Sequence, residues 1–407
     1  MPNAVLVAPF FLPNTLRYIR ALTEISGVTP ALVTQDNPRN LPADLRRLLA
    51  DVVQVDNVLD GTDLAAGCAL IARRHGPVDS LLGALEQLQG PLAHARQVCE
   101  IPGMLPETAQ KFRDKAAMKT ALRDAGVPCA RHRLVQSDLD AHAFAAEVGF
   151  PLILKPVEGV GSRGTFRIRS EEELRTALQA LAPTSAEPLQ AEEFVTGREN
   201  TCETVTVAGQ PVWHSGTHYL PGPLEVLENP WMQYCVLLPR EEDLPEFQGF
   251  TATNTQALQA LGMETGLSHM EWFLRPDGTH CVSEVGARPP GVHIMPMMSH
   301  VNDADFISLW LRLMTLGTWP QLQRKRAAGV ACFRGQGAGD RVRAVRGLAA
   351  AQEEVGEHIV DRDLPHPGQP RVAGYEGQGW ALVVADDTAT VRHALQRLVT
   401  LVQVEMG

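Results

Sequence analysis

Pro151-Leu152-Ile153-Leu154-Lys155, followed after Pro156-Val157-Glu158 by Gly159-Val160-Gly161-Ser162-Arg163-Gly164, is the stretch that decides how this chain reads. An apolar run that delivers an ammonium group and then a glycine-rich loop is suited to holding a polyphosphate. The glycines permit close backbone approach, and the amides and the lysine supply positive charge. Lysine usage sharpens the point, because lysine occurs only at 111, 115, 119, 155 and 325 among 36 basic residues. Where arginine is the default cation, a lysine marks a position that wants a compact point charge rather than a planar fork. Lys111 and Lys119 read as solvated helix positions. Lys155, on a strand beside the loop, does not.

Around this stretch the chain is that of a soluble globular protein. Its 407 residues exceed one ordinary core, so two or three subdomains are expected. A net charge of -11 argues against non-specific nucleic-acid binding, so the positive contacts to any anionic nucleotide must be local. No basic-then-apolar leader opens the sequence and its apolar runs are too short to span a membrane, so neither a membrane nor a nucleic-acid partner is expected and the cytoplasm is the expected compartment. Cysteines at 68, 99, 129, 202, 235, 281 and 332 form no CxxC pair and read as reduced, mostly buried thiols.

Strand and helix signals alternate in the first hundred residues. Ala4-Val5-Leu6-Val7-Ala8, Ala31-Leu32-Val33, Val52-Val53-Gln54-Val55 and Asp79-Ser80-Leu81-Leu82 read as strands and 15–25 as a helix, which predicts an open α/β sheet. Pro9-Phe10-Phe11-Leu12-Pro13 follows the first strand, so the dinucleotide fingerprint is absent. The spacing predicts one amphipathic helix over 111–125 with Lys111, Lys115 and Lys119 on one face. Residues 133–182 read strand, helix (138–148), strand to Lys155, glycine loop, strand (165–169), helix (170–181). A proline-containing linker near 182–188 leads to hairpins, a helix near 248–262, a helix at 303–316, and a tail from about 327 with strands and a last helix near 388–399.

One hairpin carries the acidic chemistry. His269 to Leu274 and His280 to Val285, joined by Arg275-Pro276-Asp277-Gly278, place Glu271 and Glu284 roughly opposite on one face. Opposed carboxylates repel unless a cation lies between them, and hard oxygen ligands on strands suit Mg²⁺ bridging phosphates. Arg288 could clamp a phosphoryl or acyl-phosphate oxygen. Met118-Lys119 is not read as a biotinylation site, because that lysine belongs on a hairpin tip. His269-x-Glu271 lacks the PCxxC partner of a zinc deaminase.

In this order the residues resemble the ATP-grasp superfamily of ATP-dependent ligases, of the carboxylate-amine ligase type. The resemblance covers roughly 105–320 most closely and extends to L-amino-acid ligases and biotin carboxylase-like enzymes. It implies that Lys115, in Asp114-Lys115, and Lys155, in Leu154-Lys155-Pro156, contact ATP phosphates. It also implies that the loop with Gly161, Ser162 and Gly164 closes over the nucleotide. By the same resemblance Glu192, Glu193 and Val195 meet the adenine edge, Glu199 binds the ribose, Glu271 and Glu284 hold metal, and Arg288 sits by the transferred phosphoryl group. One departure is plain: where the family reads Glu-x-Asn-x-Arg, this chain reads Glu284-Val285-Gly286-Ala287-Arg288. Water or a bidentate Glu284 replaces that ligand, or a second metal is held weakly.

The expectation is an ATP-grasp fold mixing α/β and α+β parts: a pre-ATP-grasp α/β domain (1–105), an ATP-grasp domain (106–320, lid about 130–188) and a C-terminal α+β segment (321–407). The resemblance implies ATP and Mg²⁺, or Mn²⁺ in its place, and small-molecule carboxylate and amine substrates joined through an acyl phosphate. A homodimer is allowed. The alternatives are a biotin-dependent carboxylase-like subunit and a non-catalytic ATP-binding regulator. His214, His218, Tyr219, Trp231 and His293 fall in segments expected near the acceptor, with His218 and His293 the substrate-contact candidates.

Overall fold

The structure, a computed structural model, describes residues 1–157, 164–240, 247 and 249–407. Gly161 and Ser162 of the expected phosphate loop lie outside the described residues.

The N-terminal strands form a parallel sheet in the order Asp51–Gln54, Thr29–Thr34, Asn3–Val7, Ser80–Leu82. Parallel strands are covered on both faces, and these alternate into two cores. Val5, Val7 and Val33 pack under the helices Gly61–His75 and Gln89–Cys99 with Leu64 and Leu92. Ala4, Leu6 and Leu32 join a larger core with Tyr18 and Trp310. That second core carries the open sheet onto the rest of the molecule.

A second, antiparallel sheet has the order His132–Val135, Leu189–Glu193, Leu152–Pro156, Phe166–Ile168. Helices Asp138–Val148 and Glu171–Leu181 cover one of its faces, each started by a serine whose hydroxyl accepts a backbone N–H, Ser137 from Asp140 and Ser170 from Glu173. Strand alternation sends Leu152 and Leu154 into the core with Phe144, Leu174 and Leu178. It therefore turns Ile153 and Lys155 to the opposite face.

The largest sheet has eight antiparallel strands in the order His280–Gly286, Gly266–Leu274, Arg198–Val207, Gln210–Leu220, Tyr234–Leu238, Ala327–Phe333, Gly379–Ala385, Ile359–Asp363. The strands after residue 320 thus extend the sheet that carries the acidic hairpin. Among the described residues no helix is long and apolar enough to cross a membrane.

One expected helix is divided and another starts later than its pattern suggests. The pattern over 111–125 resolves into Pro106–Arg113 and Lys115–Asp124, because the Asp114 side chain accepts the N–H groups of Ala116 (2.8 Å) and Ala117 (3.0 Å) and so starts a new helix. Lys111 consequently leaves the face of Lys115 and pairs with Glu107. The pattern over 303–316 belongs to Phe306–Leu316, capped by Asp305, and a separate helix Ile294–Asn302 precedes it. Asp114→Ala should lower stability by about 1 kcal/mol, read as a lower urea midpoint with an unchanged slope, because two N–H groups lose their acceptor.

Candidate active site

A cavity of about 730 Å³ opens where the three sheets meet. The lid sheet contributes Ile153, Lys155 and Glu192, the eight-stranded sheet Glu199, Tyr219 and Glu271, and the N-terminal domain Glu86. Edge contacts hold the junction together, with Val282 N–H donating to the Pro128 carbonyl oxygen at 2.8 Å.

Three lysines form its cationic side. Lys155 and Lys119 share one buried carboxylate: Glu192 lies 2.8 Å from Lys155 Nζ and 3.7 Å from Lys119 Nζ. Burial alone would push the Glu192 carboxyl up, but the two ammonium groups outweigh it and hold the group at about 2. Burial likewise works against the Lys155 charge, and Glu192 and Glu284 outweigh it, raising the ammonium above its ordinary value. Lys119 is 1% exposed and donates to the Val282 carbonyl oxygen. Its expected solvated position is corrected: Lys119 lies on the buried face of the helix Lys115–Asp124, with Lys115, Met118 and Leu122. Lys115 lies 3.2 Å from Glu284 Oε1. Three ammonium groups gathered in one cavity suit a triphosphate.

The hairpin register sets Glu271 directly opposite Glu284, and a β-bulge follows immediately, between Glu271 and Trp272. Bulges re-aim side chains near functional sites. Here Trp272 goes to the buried core on the other face, stacked on Phe250 at 3.9 Å. Glu271 accepts from the Tyr219 hydroxyl (3.0 Å) and lies 3.8 Å from His269 Nε2, while His269 Nδ1 is 2.8 Å from Glu203. Burial would lower the His269 pKa, but hydrogen bonding and charge from the flanking carboxylates raise it to about 9. Burial opposes the Glu271 charge too; His269 and Tyr219 outweigh it and keep that carboxyl below its ordinary value. Among the described residues no cluster of three or more His, Cys, Asp or Glu groups is placed to hold a metal. Two carboxylates fit Mg²⁺, which completes its shell from phosphates and water.

The other expected residues divide. Glu193, Val195, Glu199 and Arg288 line the cavity, as do Glu192, Glu271 and Glu284. Glu193 is tied to Arg131, accepting its N–H at 3.0 Å and its Nε–H at 2.7 Å. Glu199 is pushed well above the carboxylate range by burial and by the Glu271 charge. Gly164 has φ +72°, and a Cβ there would lie 3.2 Å from the Pro156 ring.

His218 and His293 are not brought to the cavity. Tyr219 faces it, so its neighbour His218 points to the other side of the strand, where Nδ1 meets Asn200 Oδ1 at 2.7 Å. His293 precedes helix Ile294–Asn302 and packs on Trp380 at 3.9 Å, and burial pushes its imidazole down to about 4. Trp231 is 65% exposed.

Glu86, Lys119, His269, Arg167 and Tyr375 belong to the cavity and were not expected there. For Glu86 a signal existed: it follows the last strand of a parallel sheet, where ligand crevices form. Arg167 lies 4.4 Å over the Phe194 ring, and Glu228 binds both Arg167 and Arg169 at 3.1 Å. That pair of contacts joins the lid sheet to the helix Pro223–Glu228 across the cavity.

Glu192→Gln leaves two buried ammonium groups without their shared anion, and should destabilise the protein by about 3 kcal/mol at pH 7. Since the folded-state value lies at about 2, against an ordinary 4.5, the stabilisation from ionised Glu192 is full above pH 4.5 and is lost as pH falls through 2. Denaturation of both proteins across this range should show their stabilities converging in acid. A constant difference down to pH 2 rejects the assignment.

Comparison with known proteins agrees with this geometry. Residues 120–293 match the ATP-grasp domain model. An uncharacterized protein of Sinorhizobium fredii, y4rH, is 25% identical over 91% of this chain and 73% of its own length. The L-arginine-specific L-amino acid ligase of Bacillus subtilis is 27% identical over 67% of this chain and 65% of its own. The crystal structure of an L-amino acid ligase from Bacillus licheniformis superposes with a TM-score of 0.78 at 19% identity, covering 100% of this chain and 99% of that one. Residues 120–293, which span the acidic hairpin and Arg288, thus form an ATP-grasp domain, and the fold of the L-amino acid ligase structure runs the length of the chain.

Proposed function

We propose that this protein joins a carboxylate, an amino acid or another small carboxylic acid, to an amine, using ATP and passing through an acyl phosphate. The carrying observation is that Lys115, Lys119 and Lys155 meet the opposed Glu271 and Glu284 in one cavity. Such an arrangement stabilises charge on a transferring terminal phosphoryl group. The names of its L-amino acid ligase relatives support the choice of substrate.

In this reading the carboxylate oxygen attacks the γ-phosphorus, the bond to the ADP oxygen breaks, and the amine then displaces phosphate from the acyl carbon. Lys115 and Lys155 hold the phosphates and Arg288 steadies the transferred group. Phe194 and Val195 receive the adenine, and a ribose hydroxyl meets Glu199, whose carboxyl is pushed up by burial and the Glu271 charge. Bound between Glu271 and Glu284, Mg²⁺ would neutralise charge on the phosphates. Substrates filling the cavity would displace water from around the acyl phosphate.

The test is release of ADP and phosphate dependent on the added substrates. Pairs of amino acids should stimulate release, whereas bicarbonate with biotin should not. With an ¹⁸O-labelled carboxylate, label should appear in phosphate, and AMP as product would sink the mechanism. Glu271→Gln and Glu284→Gln should each abolish turnover with the melting temperature nearly kept; Lys155→Ala should weaken nucleotide binding by roughly 1.5 to 3 kcal/mol, measured by calorimetry.

A further inference from the structure

We propose that Glu86 is the positioning residue of Arg288, and that its carboxylate occupies the space which a side chain at position 286 would fill. The departure Glu284-Val285-Gly286-Ala287-Arg288 then has a structural counterpart in another domain. The proposal rests on the ligase reading only where it speaks of turnover.

Glu86 opens the short turn Glu86–Leu88 that follows strand Ser80–Leu82, at the carboxyl edge of the parallel sheet. It is 7% exposed, and both of its oxygens are engaged. Oε2 accepts from Arg288 Nε at 2.6 Å, and Oε1 accepts from Arg113 Nη1 at 2.9 Å. A Cβ at Gly286 would lie 3.0 Å from Glu86 Oε2 and 3.8 Å from Arg288 Cγ and Nε. A side chain there must push the carboxylate away or be pushed itself. Glycine at 286 and glutamate at 86 are therefore one solution to one volume.

The consequence falls on Arg288. Its Nε is fixed by Glu86 and its Nη1 donates to the Pro289 carbonyl oxygen at 2.9 Å, and two points determine the plane of a guanidinium. Nη2 makes no hydrogen bond among the described residues. A pinned fork meets an oxyanion with less conformational loss than a free one. Because two guanidinium groups already hold its oxygens, Glu86 acts on the arginine and not as a third metal ligand. Through Arg113 the same carboxylate also reaches the residue before Asp114, the cap of the helix that carries Lys115. One acidic group from the N-terminal domain thus touches the supports of both the phosphate end and the transfer end of the cavity.

The test combines a spectroscopic readout with kinetics. In protein labelled with ¹⁵N-arginine, the Nε–H signal missing from Arg288→Lys belongs to Arg288. It should be slow to exchange in the wild type, faster in Glu86→Gln and lost to exchange in Glu86→Ala. In steady-state assays Glu86→Ala should lower kcat by roughly 100-fold, as a misplaced group does. The KM for ATP should stay within about threefold, the split expected when a transition-state contact is lost. Added to Arg288→Lys, Glu86→Ala should cost little more, and Gly286→Ala should reproduce its loss in the wild type yet add little in the Glu86→Ala background.

Should Glu86→Ala fail to fold, as a melting curve will show, the near-isosteric Glu86→Gln carries the same comparisons. An unchanged Arg288 Nε–H signal in both Glu86 variants overturns the proposal. So does an equal kinetic loss with and without the intact arginine, or a harmless Gly286→Ala. If the wild type releases no ADP with any substrate, the ligase reading has failed, and the Nε–H signal in the Glu86 and Gly286 variants still decides this one.

Discussion

A single buried carboxylate, Glu192, holds the architecture of the site together. It lies on the lid sheet, opposite Ile153, and faces two lysines from different elements: Lys155 on the neighbouring strand and Lys119 on the helix Lys115–Asp124. Burying a charge is costly unless it is paired, and the two ammonium groups are what keep the Glu192 carboxyl low at this depth. The pairing draws the helix, the lid sheet and, through the Lys119 bond to the Val282 carbonyl oxygen, the acidic hairpin to one point. Where these elements converge, the cavity has cations on one side and carboxylates on the other.

The acidic side is organised by the same economy of charge. Glu203, His269 and Glu271 run along one face of two paired strands, with Glu203 opposite His269 in the register. The imidazole stands between two carboxylates and carries its proton well above its ordinary range. Fixing Glu271 in this way, with the Tyr219 hydroxyl on the same oxygen, leaves the other oxygen for whatever enters the cavity. Burial and the Glu271 charge push the Glu199 carboxyl up instead. Two acidic groups on one face are thus shifted in opposite directions because their neighbours differ.

Domain contacts complete the site from outside. Glu86 reaches Arg288 from the open sheet, Tyr375 enters from the C-terminal segment, and Glu228 binds two arginines of the lid strand. Each contact joins parts of the chain far apart in sequence. Moving the lid would break the Glu228 bridges first, since they are the more exposed of these ion pairs, whereas the Glu86 pair is held within the body.

Periodicity and glycine placement were enough to read the open sheet, the lid's strand and helix order and the acidic hairpin, because each depends on neighbours within a few residues. The opposition of Glu271 and Glu284 was legible for that reason: a short hairpin determines its own register. Local rules also misled. Spacing of four put Lys111, Lys115 and Lys119 on one helix, but the Asp114 side chain ends it, and Lys119 is buried where a solvated position was expected. His218 and His293 were placed near the acceptor by segment, while strand alternation and the Trp380 contact take them away. The sequence by itself determined the elements, their chemistry and the family resemblance. Only the tertiary structure decided which side chains share the cavity, because burial, ion pairing and the space beside Gly286 arise between residues as distant as Glu86 and Arg288.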